Sequence, residues 1–215
     1  MSDKATGPWS TKGYIMRPTE RTRGNHPGII DYKGGSYVFG LNYDLLHLET
    51  LDHKERRSVS VAKMHYNPDG TIEEVPYWQD TKLEQIDNFN PYRRVEAETM
   101  AWGYGLKTGN FENGGLCVTD IDNDEYLCIR GVDFGKKGAR KFSGSVACVE
   151  EGGKIEIRLD GVDGPVVGCV SVSATGGMDI YKQMSCKIKN AKGVHDLYFC
   201  FKGEKGKKLF NLDYW

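Results

Sequence analysis

The 215-residue sequence lacks any run of about 18 apolar residues, so no segment of it would form a membrane-spanning helix. Its first nine residues hold no apolar stretch, so the start does not read as a signal peptide. An excess of one charge is missing too: 29 Lys and Arg stand against 30 Asp and Glu, a net charge of −1. No polybasic surface argues for nucleic acid or anionic lipid. Cysteine is absent before Cys117. The six that follow are Cys117, Cys128, Cys148, Cys169, Cys186 and Cys200; no pair has C-x-x-C spacing and no histidine stands at zinc-ligand distance in sequence. Most lie in apolar strand-like runs, which reads as free thiols packed as small residues; disulfides are the alternative. Hydrophobic residues at 39% and aromatics at 11% suit a core-forming globular protein of one or two domains.

What is present is a series of short alternating runs separated by turn residues. In the first part, residues 9–16 read as a strand. Residues 26–32 and 36–40 form a hairpin about Lys33-Gly34-Gly35. Residues 58–66 follow, then the turn Asn67-Pro68-Asp69-Gly70, then a strand at 71–75. Four strands in meander order match about one blade of a propeller. One blade cannot bury both of its faces by itself, so this segment reads as incomplete. Residues 78–91 are polar and lack alternation, as a linker does. The expected division is 1–77, a linker over 78–93, and a second domain over 94–215.

That second part carries nine runs, at 95–100, 116–121, 125–132, 141–149, 154–159, 165–172, 180–188, 195–201 and 209–215. Glycine-rich turns separate them, which predicts an all-β sandwich of the jelly-roll type. The first and last runs alternate. Val95 and Ala97 share one face, Glu96 and Glu98 the other, and Leu212 and Tyr214 alternate with Asn211 and Asp213. Where those ends meet in one sheet, Glu96, Glu98 and Asp213 gather at one rim. Hard oxygen donors so close repel unless a cation sits between them, and calcium suits that set. Solvated edge charges are the other reading.

Several pieces of the first part, Gly7-Pro8-Trp9, Gly24-Asn25-His26, Lys33 to Phe39, Arg57-Ser58-Val59 and Tyr66 to Ile72, resemble the last blade of glycoside hydrolase family 43. Those enzymes are five-bladed propellers that invert arabinose- and xylose-containing substrates. The resemblance implies that His26 lies near an ion on the propeller axis and Arg57 near the substrate pocket. It also implies that the catalytic base, the aspartate that tunes it and the general acid are not in this chain. Asp31, Glu20 and Asp44 match none of them, and inverting hydrolysis needs a pair of carboxyl groups about 6.5–9.5 Å apart.

Residues 94–215 resemble a family 6 carbohydrate-binding module. The pieces occur in order: Val95 to Glu98, Val118 to Asn123, Gly131 to Gly135, Gly152 to Asp160, Ser173 to Gly177, Gly193 to Phe199 and Leu209 to Tyr214. The resemblance implies a sandwich with a structural calcium held by Glu96, Glu98 and Asp213. It implies a sugar cleft at one edge with Asn211 bonding hydroxyls. Asp120 and Met178 stand there in place of the usual aromatic platforms, and Gly109 in place of an acidic contact. Trp102 and Tyr104, in the loop after the first run, are candidate replacements, with packing under the loop as the alternative. A second site is implied on a sheet face, where Tyr126 and nearby Arg158 are candidates.

The function expected from these readings is binding of a xylan or arabinoxylan type of plant cell-wall polysaccharide, by the C-terminal part of a family 43 hydrolase. Two alternatives stand beside it. One is hydrolysis of glycosidic bonds once the missing propeller blades are supplied, and the other is a sandwich that binds nothing. Polysaccharide as partner implies work outside the cell.

Overall fold

The computed structural model describes residues 1–18, 26–43, 58–78, 83–110 and 115–215. They contain no α-helix, and none long and apolar enough to cross a membrane. By density of internal contacts the chain divides into two units, Met1–Ile86 and Asp87–Trp215.

The first unit is built on an antiparallel sheet of β1 (Gly28–Tyr32), β2 (Gly35–Asn42) and β3 (Ser58–Met64), in that order. Lys33 and Gly34 both take positive φ, 47° and 78°, as the central pair of a tight hairpin turn requires. Val38 pairs with Ala62, and with Met64, Val75 and Trp78 they form a small core. The strand expected at 9–16 does not form. Gly13 sits at φ 138°, Trp9 and Tyr14 stay exposed, and backbone ties from this stretch reach only Met1 and Val75. The run at 71–75 makes a single bridge, Ile72 to Tyr66. The described residues thus form three of the five runs expected here as strands.

The second unit is a sandwich of two five-stranded antiparallel sheets. The first has the order β10-β9-β12-β7-β4 and the second β11-β8-β13-β6-β5. The members are β4 (Trp102–Tyr104), β5 (Lys107–Asn110), β6 (Leu116–Thr119), β7 (Tyr126–Asp133), β8 (Lys141–Cys148), β9 (Gly153–Leu159), β10 (Val166–Val172), β11 (Gly177–Lys187), β12 (Val194–Lys202) and β13 (Asn211–Tyr214). Eight of the nine expected runs overlap one of these strands. Period-two alternation sends Ile155, Ile157 and Leu159 of β9 and Leu197, Phe199 and Phe201 of β12 into the core. There Phe199 meets Phe142 and Trp215 edge to face, with centroids 5.2 Å apart in both cases.

The run at 95–100 meets the end of the chain as expected, but only briefly. Val95 N–H donates to Trp215 O (2.8 Å), Trp215 N–H to Val95 O (2.9 Å), and Ala97 N–H to Asp213 O (2.8 Å). Beyond Ala97 the backbone turns on itself, with Thr99 N–H donating to Glu96 O. The second half of the expected linker belongs to the sandwich. Phe89 bonds Gly131 O through its N–H, accepts from Asp133 N–H, and stacks on Trp215 at 6.1 Å. The Tyr92 hydroxyl, donating to Phe134 O at 2.7 Å, holds the same stretch.

Candidate functional site

The outer face of the first large sheet is set by register. One row across it runs Trp102, Cys128, Tyr198, Arg158; the next runs Tyr104, Tyr126, Cys200, Glu156. Because the neighbours of these residues fill the core, these side chains all point away from it. Tyr104 stacks on Tyr126 with centroids 5.8 Å apart and planes 16° from parallel, and Tyr126 meets Tyr198 at 6.0 Å. Trp102 and Tyr104 are 51% and 61% exposed, large apolar areas to leave in water on an edge strand. Both were expected in a loop; β7 supplies the partner edge that makes them a strand. The Tyr198 hydroxyl bonds the Cys128 thiol, and with partial burial this pushes its pKa up to about 12.

Polar groups border the rings. Arg158 Nη2 donates to Glu156 Oε2 at 2.7 Å and its Nη1 to Gly164 O at 2.9 Å, while Lys154 Nζ reaches Glu156 Oε1 at 2.8 Å. Held by Lys154 and Arg158, the Glu156 carboxyl stays below the usual carboxylate range. The result is a hydrophobic strip with a fixed charged margin, suited to a ligand with flat apolar faces and polar edges.

Asn211, at the start of the central strand β13, and Asp120, just after β6, lie elsewhere, at strand ends of the second sheet. Asn211 Oδ1 accepts from Thr119 Oγ1 (2.8 Å), and its Nδ2 donates to Met178 O (2.9 Å). Asp120, next to Thr119 and at φ 57°, pairs with Lys107 Nζ (3.4 Å) and with Lys208 Nζ. Hydrogen bonds from Lys208 and Lys107 lower its pKa. The structure therefore brings Trp102, Tyr104 and Tyr126 together and keeps Asn211 and Asp120 in a separate group, whose polar atoms already have partners in the protein.

At the meeting of the chain ends, Arg94 donates to both Glu96 oxygens at 2.8 and 3.0 Å and lies 3.6 Å from Asp213 Oδ1. Burial pushes the Asp213 carboxyl up, against the pull of Arg94. Glu98 Oε2 is buried without a hydrogen-bond partner. Among the described residues, no three His, Cys, Asp or Glu side chains form a cluster placed to hold a metal. The orphaned Glu98 oxygen and the desolvated Asp213 nonetheless fit a cation's donor set, and the Arg94 guanidinium already puts positive charge between Glu96 and Asp213. In the first unit His26 is exposed just ahead of β1, and Arg57 lies outside the described residues.

A sequence profile described as Carbohydrate binding module (family 6) matches residues 96–215. The chain belongs to this family. A solved family 6 module from Clostridium cellulolyticum, in complex with xylose, is 37% identical with a TM-score of 0.56, covering 59% of this chain and 96% of that one. The whole chain also aligns with longer proteins. An arabinoxylan arabinofuranohydrolase from Paenibacillus polymyxa is 36% identical over 100% of this chain and 35% of its own length. A glycoside hydrolase family 43 arabinoxylan arabinofuranohydrolase from Bacillus subtilis, solved in complex with cellotetraose, matches with TM-score 0.90 and 33% identity, over 100% of this chain and 45% of that one. The chain thus spans about a third to under a half of the length of these relatives, and its first part resembles the same region of them.

For this family 6 module, sequence reasoning missed Tyr198 and the Lys107–Asp120–Lys208 group. The signal for Tyr198 was there: in the run Leu197-Tyr198-Phe199-Cys200-Phe201, three inward apolar residues leave Tyr198 facing out. The ion pairs had no such signal, because only the sheet order brings β5 and the segment before β13 beside Asp120.

Proposed function

We propose that the module binds a plant cell-wall polysaccharide of the xylan or arabinoxylan type along the outer face of its first sheet. Trp102, Tyr104 and Tyr126 cover the C–H faces of successive sugars, and Arg158 and Glu156 meet hydroxyls at the margin. The observation that carries this reading is the set of exposed rings in two adjacent register rows of the first sheet, bordered in the same rows by Arg158 and Glu156. The names of the longer relatives point to arabinoxylan, and one solved module holds xylose. In this reading the chain contributes to polysaccharide degradation by holding polymer, outside the cell, while hydrolysis belongs to a family 43 propeller.

A calcium ion held by Glu96, Glu98 and Asp213 completes the proposal. Bound there, it neutralises these half-buried carboxylates and ties the entry of the sandwich to β13. Affinity electrophoresis in gels containing xylan, arabinoxylan or β-glucan tests the binding. Retardation in the first two is expected, and free migration in all three would leave a sandwich without a ligand. The match of the whole chain to part of the longer arabinofuranohydrolases favours hydrolysis as a second reading, dependent on the remaining propeller. Release of arabinose or xylose from aryl glycosides by this chain alone would show that it needs no such complement.

A further inference from the structure

One end of the sandwich is open. β8 pairs with β11 along its whole length, but with β13 only at Ser145 to Ala147. Where β13 stops, the first residues of β8 lack that neighbour, and a cavity of about 360 Å³ enters between the sheets. Its wall includes Phe142, Ile157, Val167, Leu197 and Phe199, all buried. Two further lining residues carry unsatisfied polar atoms: Ser143 Oγ and Trp215 Nε1 are buried with no hydrogen-bond partner. Arg93 and Lys141, both exposed, stand at the rim. Arg94 beside them is committed to Glu96 and Asp213, whereas neither Arg93 nor Lys141 has a carboxylate partner among the described residues.

The cavity falls in the range of small-ligand pockets, about 300–1,000 Å³, and is more than twice the ~150 Å³ cavity that takes benzene. One ring with a short chain fills it. The walls favour an apolar body and would desolvate a sugar's hydroxyls without return. The uncommitted cations favour an anion, and the hydroxyl and indole N–H are donors for acceptor oxygens.

We infer that this cavity binds a small amphipathic monocarboxylate, an aryl- or short alkyl-carboxylic acid, with its apolar body between the sheets and its carboxylate at Arg93 and Lys141. The site is independent of the outer-face platform.

The test uses the full chain, 3-phenylpropionate, and its neutral isostere 3-phenylpropionamide, read by the Trp215 indole N–H resonance assigned through Trp215→Phe. Saturable binding of the acid at millimolar concentration is expected, with the amide about tenfold weaker. The surface double variant Arg93→Gln/Lys141→Gln should lose about tenfold for the acid and leave the amide unchanged. Val167→Phe should block both, provided its thermal midpoint shows that it folds. The inference is overturned if neither compound binds, if acid and amide bind equally, or if the rim variant leaves acid affinity unchanged.

Discussion

Tyr104 and Tyr126 face one another directly across the β4–β7 ladder, and their rings lie 16° from parallel at 5.8 Å. Tyr126 in turn touches Tyr198 on β12, so three strands each lend a ring to one continuous strip. Backbone pairing fixes the spacing of the rings before any ligand arrives, which lowers the ordering cost of binding.

Tyr126 is the middle ring, and its removal should cost most. Tyr126→Ala is expected to weaken retention by arabinoxylan about tenfold or more. Loss of cross-strand packing should cost about 1 kcal/mol of stability. Affinity gels and thermal melts run on the same sample separate the two effects.

The proposed calcium ion has a pH signature. Burial raises the Asp213 carboxyl above its ordinary range. Without the ion, this group penalises the fold at higher pH, and the penalty fades as pH falls through the raised folded value. With the ion bound, the charged form is the one required, so stability should instead fall on acidification. Saturating calcium is expected to add about 3 kcal/mol, or roughly 9–15 °C in the melting midpoint of a unit this size. Glu98→Gln should abolish most of the response to chelator. Midpoints against pH, with and without EDTA, read both effects; identical curves would remove the ion from the account.

Glu156 behaves in the opposite sense. Lys154 and Arg158 hold its carboxyl below the ordinary value, so its contribution is full above the unfolded pKa of about 4.5 and is lost as pH falls through the lower folded value. Glu156→Gln should cost about 1–2 kcal/mol near neutral pH. The gap from the parent should close as pH falls through that lower folded value. Urea denaturation at several pH values checks this.

The cysteines should differ sharply in reactivity. All six are free, but Cys169 alone is exposed, Cys186 is half-buried, and burial pushes the Cys128, Cys148 and Cys200 thiols up. Brief treatment with iodoacetamide should label Cys169 first and leave those three unmodified until the protein is unfolded. Peptide mass spectrometry gives the order directly.

The sandwich was legible wherever one face of a strand is densely apolar. Ile155, Ile157 and Leu159, or Leu197, Phe199 and Phe201, announce both the strand and its buried side. β4 was not legible: Trp102-Gly103-Tyr104 is three residues long, exposed throughout, and has no alternation to detect. Residues 9–16 misled for the converse reason. Their aromatics suggest a strand, yet Trp9 and Tyr14 remain exposed and the backbone finds no ladder. The division of the candidate residues into two groups was beyond any local pattern. It depends on β4 joining the first sheet while β5, three residues later, joins the second.

The paired hydrogen bonds between Val95 and Trp215 also determine how the module answers to load. Antiparallel neighbours at this position bring the entering and leaving backbone to the same corner of the sandwich. A pull between tethers on those two segments therefore peels the bonds open one at a time instead of shearing them together. Under such a pull the sandwich would yield first at that corner, with β7 and β12 and their rings Tyr126 and Tyr198 giving way last.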